Sequence, residues 1–523
     1  MKQTTLLILL TIVYASSIAQ TWQRTYGYAG SAEISKAVKC SYDEGFILGV
    51  DKNNHSIFII KSNINGEILW QKYIKAISSD YLILSHFNTC NSGSIALTGG
   101  YYSGSDIRSF VINFDTCIEN YTCNTINIHP NTVGNYGKFI FNYPGSDELL
   151  LMTYAAGTWP YEPNQFWKVN TLGEVLWEKQ ILSSYQTYFS GTEFQQMCLT
   201  SDGGSLLAGY TYYPYDTTNY PWDGILQPCL VKHDSLGNRQ WVYPPMSGAD
   251  TNRIGFFNAC VQVGDTYYAA GSNYNYGPGH FLQPLVARFD LNGNLLSYVS
   301  SGPDTMYHSL SQVLPVSDTS ILLISAANTV YTDPNYLMVF IADTIGNFTK
   351  GFIRHDLIVS QFGDEVAKMR DNKFIIPCSY PIGGLSSLTD IVAIKLNANL
   401  EYDSIYTQPF TYDSLCPYPI VSDTVVCNCE PFVSAKEAQE LQQSLTIVPN
   451  PAIDWIAVGM PQALQQAGTL RLYNMLGRVL YEAMLPPGTK QTNISCVGWK
   501  AGLYLVRCQS GGKVVSGKVV VGP

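Results

Sequence analysis

Charge is what this sequence has least of. Only 13% of its 523 residues are Asp, Glu, Lys or Arg, with 40 acidic side chains against 30 basic ones. The resulting net charge of −10 removes the basic footprint that nucleic-acid binding requires. Beyond the first 20 residues there is no uninterrupted apolar run of the ~18 residues a membrane helix needs, so no transmembrane segment is expected. The seven histidines (His55, His86, His129, His233, His280, His308 and His355) are scattered, and no His-Glu-x-x-His pattern joins them. A Gly-x-Ser-x-Gly elbow, a phosphate-binding glycine loop and an Asp-x-Asp-x-Asp-Gly calcium loop are also missing. These absences leave no local catalytic, cofactor or metal motif, and they favour a role other than catalysis.

What is abundant points the other way, to β-structure. Aromatics reach 13%, with 37 Tyr, and 43 Gly and 26 Pro supply turns. This mix suits pleated, half-buried surfaces joined by short connections, hence an all-β protein. The length exceeds one ordinary core, so two or more domains are expected. Lys2, the apolar run Leu6 to Tyr14 and the small residues Ser17-Ile18-Ala19 have the order of a secretory signal peptide over 1–19, with the mature chain starting near Gln20.

Thirteen cysteines in an exported chain permit disulfides, and the odd count leaves at least one thiol over. Cys117 and Cys123 are close enough in sequence to pair across a short loop, while Cys416, Cys427 and Cys429 cluster near a domain end. Cys40, Cys90, Cys198 and Cys260 occupy one shared position of a repeat. Equivalent positions on separate units are not expected to touch, so these four read as small buried apolar residues.

That repeat sets the architecture. A strand leads to an Asp/Gly turn and a second strand. A third strand follows, then an Asx-x-x-Gly turn and a fourth strand. The clearest copy runs from Cys40-Ser-Tyr-Asp43 through Ile57 to Lys61, Asn63-Ile-Asn-Gly66 and Trp70. Other copies keep Gly173 with Trp177, Gly237 with Trp241, and Gly293. Seven units begin near Ile34, Leu82, Tyr136, Glu193, Ile254, His308 and Gly363, about 50–60 residues apart, the range of propeller repeats. A four-stranded sheet cannot cover both its faces alone, and radial stacking solves this. We therefore expect a seven-bladed β-propeller over 20–430. Trp70, Trp177 and Trp241 fall at one position per blade, where an indole can wedge between neighbouring sheets. Thr21 to Gly27 resembles the tail of a unit, which suggests an outer strand donated to the last blade. Residues 431–443 are polar and lack alternation, so they read as a linker, with room for a short helix at 435–443.

From 444 to 523 strands and turns resume at the size of a small immunoglobulin-like β-sandwich. Pro449-Asn450-Pro451-Ala452, Leu472-Tyr473-Asn474-Met475-Leu476-Gly477, Gly502-x-Tyr504-x-Val506 and Lys518 to Val521 resemble, in order and spacing, the type A C-terminal sorting domain of type IX secretion in Bacteroidetes. The resemblance implies export to the periplasm and recognition of this domain by the type IX secretion machinery. Cleavage ahead of the domain would follow, leaving the rest on the cell surface or released. Cys496 and Cys508 depart from the pattern. The propeller repeats are also similar to those of secreted Bacteroidetes propeller proteins. Asp234-Ser235-Leu236, Asp343-Thr344-Ile345 and Asp423-Thr424-Val425 resemble the O-glycosylation sites of that phylum.

For the propeller, three roles fit. It binds or scaffolds a glycan or protein partner, it hydrolyses glycans from a site in the channel, or it is a structural part of the envelope. Tyr-rich stretches at 159–167, 210–222 and 267–276 suit recognition at a rim. Asp106, Asp223 and Asp390, just before third strands, are the carboxylates placed to approach one rim.

Overall fold

A computed structural model describes residues 22–522 except 28–30, 54, 78–79, 91, 127–133, 144–145, 157–163, 171–173, 182–191, 214–224, 245–253, 275–281, 301–306, 329–334, 344, 360, 363–364, 370, 383–384, 410, 413–415, 432–444, 461–462, 475–477 and 511–512. The expected signal peptide, the linker from residue 432 on with its short helix, Gly173, Gly477 and Asp223 lie outside the described residues, while Pro431, expected in the linker, ends a strand. Every described element is a strand. The chain divides into two compact units, Met1–Phe432 and Val433–Pro523.

The first unit holds seven sheets among the described residues, each built from consecutive strands. Sheet 1 comprises Glu33–Cys40, Phe46–Lys52, Ser56–Ser62 and Ile68–Ala76, and sheet 2 Tyr81–Thr89, Ile95–Ser103, Asp106–Phe114 and Tyr121–Ile126. Sheet 3 follows with Gly134–Asn142, Leu149–Ala156, Gln165–Val169 and Val175–Gln180, and sheet 4 with Glu193–Leu199, Ser205–Tyr213, Ile225–His233 and Arg239–Tyr243. Sheet 5 has Gly255–Val263, Thr266–Tyr274, Leu282–Asp290 and Leu295–Ser300, and sheet 6 Tyr307–Ser317, Ser320–Asn328, Asn335–Asp343 and Phe348–Val359. Sheet 7 is assembled from Gln361–Phe362, Ala367–Lys368, Phe374–Ile382, Leu385–Leu396 and the N-terminal strand Gln23–Tyr26.

The middle strands explain the stacking. In sheet 1, Phe46 to Asp51 and Ser56 to Ser62 are buried without interruption, which marks a sheet covered on both faces. The apolar clusters join sheets in succession. One is shared by sheets 1 and 2, another by 2 and 3, and so on through 6 and 7. A last cluster unites sheet 7 with sheet 1 and includes Trp22 and Tyr26.

Two chain ends fasten this unit. Gln23–Tyr26 pairs antiparallel with Tyr26 opposite Ile391 and Gln23 opposite Ile394, at the outer edge of sheet 7 where its likeness to a unit tail places it. Tyr26 Oη donates to the Gly66 carbonyl at 2.8 Å and Arg24 Nε to that of Asn65 at 2.8 Å, so this strand also grips sheet 1. After sheet 7 the chain runs back over the outer edges of sheets 1 and 2. Asp423–Cys427 lies parallel to Ile68–Ala76, and Glu430–Pro431 parallel to Tyr121–Ile126. Lys72 and Asp423 form an ion pair at 2.7 Å.

Two disulfides lock this tail, Cys117–Cys416 and Cys123–Cys429, across 299 and 306 residues. The expected Cys117–Cys123 bridge is therefore corrected. Each of these cysteines faces the returning tail, not the other.

The second unit carries a three-stranded sheet (Thr446–Val448, Trp455–Gly459, Gln491–Ser495) and a four-stranded one (Val479–Leu485, Gly468–Asn474, Gly502–Ser510, Lys513–Val521). Alternation along Gly502–Ser510 puts Tyr504, Val506 and Cys508 inward. With Leu470, Leu472, Ile456, Val458 and Val519 they form one core, which also takes in Cys496.

Candidate functional site

The repeat residues meet across sheet boundaries. Trp177 of sheet 3 lies against Gly237 of sheet 4, where an added Cβ would be 2.7 Å from Cη2 of the indole. Trp241 of sheet 4 lies against Gly293 of sheet 5, where the distance would be 2.5 Å, and its Nε1 donates to the Leu291 carbonyl at 3.1 Å. Trp22 stands in the same relation to Gly66, at 2.8 Å. The turn glycines serve two purposes here: they adopt positive φ (+77° at Gly66, +75° at Gly237, +81° at Gly293) and they seat the preceding sheet's indole.

Sequence reasoning missed a second repeated device. Lysines on third strands reach back to an acid in the first turn: Lys61 to Asp43, Lys168 to Glu148 at 2.6 Å, Lys232 to Asp202 at 2.8 Å and Lys395 to Asp371 at 3.4 Å. Lys61, Lys232 and Lys395 are buried, which such charges tolerate only when paired. The recurrence of lysine opposite an acidic turn is the signal that could have revealed it.

A third device is a β-bulge in the first strand of each of sheets 1 to 6. It leaves Lys36, Ser85, Lys138, Gln195, Asn258 and Ser311 out of register, all polar and half-buried. Polar bonds then run between first strands. Gln196 of sheet 4 donates to Gln312 of sheet 6 at 2.8 Å and accepts the Cys260 N–H of sheet 5 at 2.7 Å. Glu365, ahead of sheet 7, is 2.5 Å from Lys39 of sheet 1 and 3.3 Å from His86 Nε2 of sheet 2. His86 Nδ1 accepts the Ile140 N–H of sheet 3 at 3.3 Å, which leaves Nε2 as the proton carrier facing Glu365. Burial pushes the Glu365 carboxyl up, but Lys39 and His86 outweigh it and hold it at about 2. Glu193 is likewise held low by Lys138 and Tyr210 against its burial.

Of the carboxylates singled out from sequence, the two that are described, Asp106 and Asp390, have separate partners. Asp106 pairs with Arg108 at 2.5 Å within its own strand, and Asp390 faces Tyr380 Oη at 3.5 Å. Among the described residues no cluster of three or more His, Cys, Asp or Glu is arranged to hold a metal. Of the Tyr-rich stretches, 159–163, 214–222 and 275–276 lie outside the described residues, while Tyr267 and Tyr268 are buried and not offered at a surface. Elsewhere, Tyr81 stacks on Tyr102 at 4.4 Å, and Tyr102 Oη donates to Tyr136 Oη at 3.1 Å. Of the O-glycosylation-like triplets, Asp234 caps its own turn with Leu236 61% exposed, and Asp423 is the partner of Lys72.

The cysteines at the shared position do approach one another, against expectation. Cys198 and Cys260 are 3.6 Å apart, sulfur to sulfur. They lie on adjacent first strands, which pack directly together. Cys40 and Cys90 line one cavity of about 290 Å³ between sheets 1 and 2, together with Tyr42, Lys61, Trp70 and Ile118. Ile420 of the tail borders it, and Ser92 and Thr116 connect it with an open groove of about 350 Å³ over Asn113, Asp115, Asn120 and Tyr121.

In the second unit, Pro449-Asn450-Pro451 pins the last strand, with cis bonds before both prolines. Asn450 Nδ2 donates to the Lys518 carbonyl at 3.1 Å, and its Oδ1 accepts the Val520 N–H at 2.9 Å. Ala452 N–H donates to the Val520 carbonyl at 2.7 Å. Tyr473 pairs with Val479 and Leu505, and Asn474 Oδ1 accepts the Arg478 N–H at 3.0 Å, closing the hairpin. Gly502 sits opposite Val521, Tyr504 Oη donates to the Lys500 carbonyl at 2.5 Å, and Val506 is fully buried. Residues 446–522 match the model of the secretion system C-terminal sorting domain.

The second unit is a type IX sorting domain. Such a sorting domain marks its carrier for export to the cell surface or beyond, and no helix among the described residues is long and apolar enough to cross a membrane. No curated protein sequence matches the chain. Among solved structures, the chain is similar to the extracellular domain of a hybrid two-component system from B. thetaiotaomicron, at 9% identity and a TM-score of 0.43 over 96% of this chain. It spans 59% of that protein's length. It is also similar to polysaccharide lyase Uly1, at 10% identity and a TM-score of 0.45, covering 71% of this chain and 92% of the lyase. A third similar structure is the β-propeller domain of the Trilobed protease from Pyrococcus furiosus, described as having an open velcro topology. There the identity is 10% and the TM-score 0.41, covering 72% of this chain and all of that domain.

Proposed function

We propose that the first unit, over 20–430, is a closed seven-bladed β-propeller that binds or scaffolds a partner at the cell surface. The second unit, over 444–523, is read as an immunoglobulin-like β-sandwich that serves delivery through the type IX machinery. Residues 1–19 act as a signal peptide and 431–443 as the linker at which the two part. One observation carries the ring: the apolar clusters run through every successive pair of sheets and return from sheet 7 to sheet 1. Binding is favoured over hydrolysis because Glu365 and Glu193, the acids of the first-strand belt, are committed to Lys39, His86 and Lys138. A general acid needs a carboxyl raised towards neutrality, and these are depressed; of the acids that burial raises, Asp51 is 2% exposed and Asp390 faces Tyr380.

The test is a glycan and protein binding array probed with the purified full chain, run beside a hydrolysis assay on the same glycans. Saturable binding without turnover is expected. Turnover abolished by Glu365→Gln overturns the binding reading. For delivery, a chain lacking 444–523 is expected to stay in the periplasm, and its normal surface display overturns that assignment.

A further inference from the structure

Sheets 1 and 2 break the plan by which an indole rests on the next turn. The turn that faces Trp70 is Asp115-Thr116-Cys117-Ile118, and the residue at the glycine position is Ile118, at φ +54°. A β-branched residue in the left-handed region is strained and persists only where its surroundings enforce it. Here Cys117–Cys416 holds the adjoining residue, and Ile420 of the tail packs on the same cluster. The isoleucine side chain occupies the place where Gly293 admits Trp241. Trp70 is 3% exposed and its indole N–H has no partner, as is also the case for Trp22 on Gly66, whereas that of Trp241 donates to a carbonyl. A strained residue, an orphaned buried donor and a cavity of about 290 Å³ thus coincide at one junction.

We propose that this cavity binds one neutral sugar residue, with the adjoining groove carrying the next residues of a glycan chain. The volume suits a single ring at the lower end of small-molecule sites. Trp70 and Tyr42 give aromatic surface, and Ser41, Ser92, Thr89 and Thr116 bring hydroxyl-bearing side chains to the lining. The one cation, Lys61, is already committed to Asp43 and to Ser41 Oγ at 2.7 Å, so the lining is neutral overall and selects against charged sugars. The Trp70 N–H is itself buried, so the guest is held by stacking on the indole and Tyr42 and by the hydroxyls of the lining. Asn113, Asn120 and Tyr121 extend the surface outward for the rest of a chain.

The assignment rests on the binding reading above, and its test separates the two. The purified full chain is titrated with glucose, galactose, mannose, N-acetylglucosamine, their β-linked trimers, and glucuronate as the charged control, following heat and tryptophan fluorescence. At least one neutral sugar is expected to bind saturably, its trimer more tightly, and glucuronate not at all. Ile118→Gly lets Trp70 settle on the turn and is expected to abolish binding with melting unchanged or raised. Trp70→Phe shrinks the stacking surface and is expected to weaken binding about tenfold. Undiminished binding in both variants overturns this site and leaves the binding reading standing. Equal binding of glucuronate overturns the neutral class. A wild-type chain that binds none of these sugars overturns the site, and if the array is also blank the broader reading falls with it.

Discussion

Sheets 4 and 5 and sheets 1 and 2 meet through the same parts: a tryptophan, an Asx-led turn and a cysteine from each first strand. At the first junction the turn residue is Gly293, the indole lies on it with its N–H bonded, and the two sulfurs are 3.6 Å apart. At the second it is Ile118, the indole N–H is unpaired, and the two cysteines border a cavity. The hollow junction is also the one crossed by the C-terminal tail and its two disulfides. The difference teaches that one turn residue sets how closely two sheets close. A junction opened in this way is held together from outside, by covalent bonds that the closed junction does without.

The comparison can be broken in order of expected effect. Cys117→Ser with Cys123→Ser removes both staples, and a loss of about 4 kcal/mol or more in a denaturant melt is expected, since each closes a loop of hundreds of residues. The same pair of substitutions at Cys198 and Cys260, where no disulfide exists, is expected to cost far less. Gly293→Val forces a β-branched residue into φ +81° and against Trp241, and should cost about 3 kcal/mol.

Acid separates the two halves of the first-strand belt. Glu365 is held at about 2, below its ordinary value of 4.5, so it stabilises the fold fully above pH 4.5 and loses that contribution as pH falls towards 2. About 2 kcal/mol of acid-labile stability is expected, absent in Glu365→Gln, while Gln196→Ala should leave the shape of the pH profile unchanged. Asp51 has the opposite sign. Burial raises it to about 6 from 3.8 in spite of Lys36 and His55, so it favours the unfolded state increasingly as pH rises from 3.8 to 6. Asp51→Asn is expected to raise the melting temperature at pH 7. The smallest effect belongs to Ile118→Gly, where relief of backbone strain opposes the loss of a buried side chain, and stability should move by no more than about 1 kcal/mol.

Much of the fold was legible because it is local. The strands, the Asx turns and the spacing of the units arise from neighbours in sequence, and the sheets begin where the repeat places them, for instance at Glu33, Tyr81 and Glu193. The sorting motif was legible for the same reason, since Pro449 to Ala452 and Gly502 to Val506 are short and contiguous. The disulfides were not, because a partner 299 residues away leaves no trace in spacing. The lysine–acid pairs and the bulges went unseen although their residue types recur, because a polar residue at a strand end looks solvated until the neighbouring sheet covers it. The cavity was missed for a related reason: it depends on Ile118 replacing a glycine, and a departure from the repeat in two copies, at Ile118 and Leu400, reads as noise.

The tail also decides how the first unit bears a pull. Glu430–Pro431 runs parallel to Tyr121–Ile126, so tension drawn through the C-terminal end meets that short ladder first, in shear, not as in an unzipping hairpin. Cys123–Cys429 comes next, three residues before the end of the unit at Phe432, and this covalent bond takes the load before the parallel ladder of Asp423–Cys427 on Ile68–Ala76 does. Whatever grips the chain beyond that point, the disulfide keeps the strain from the seam between first and last sheets.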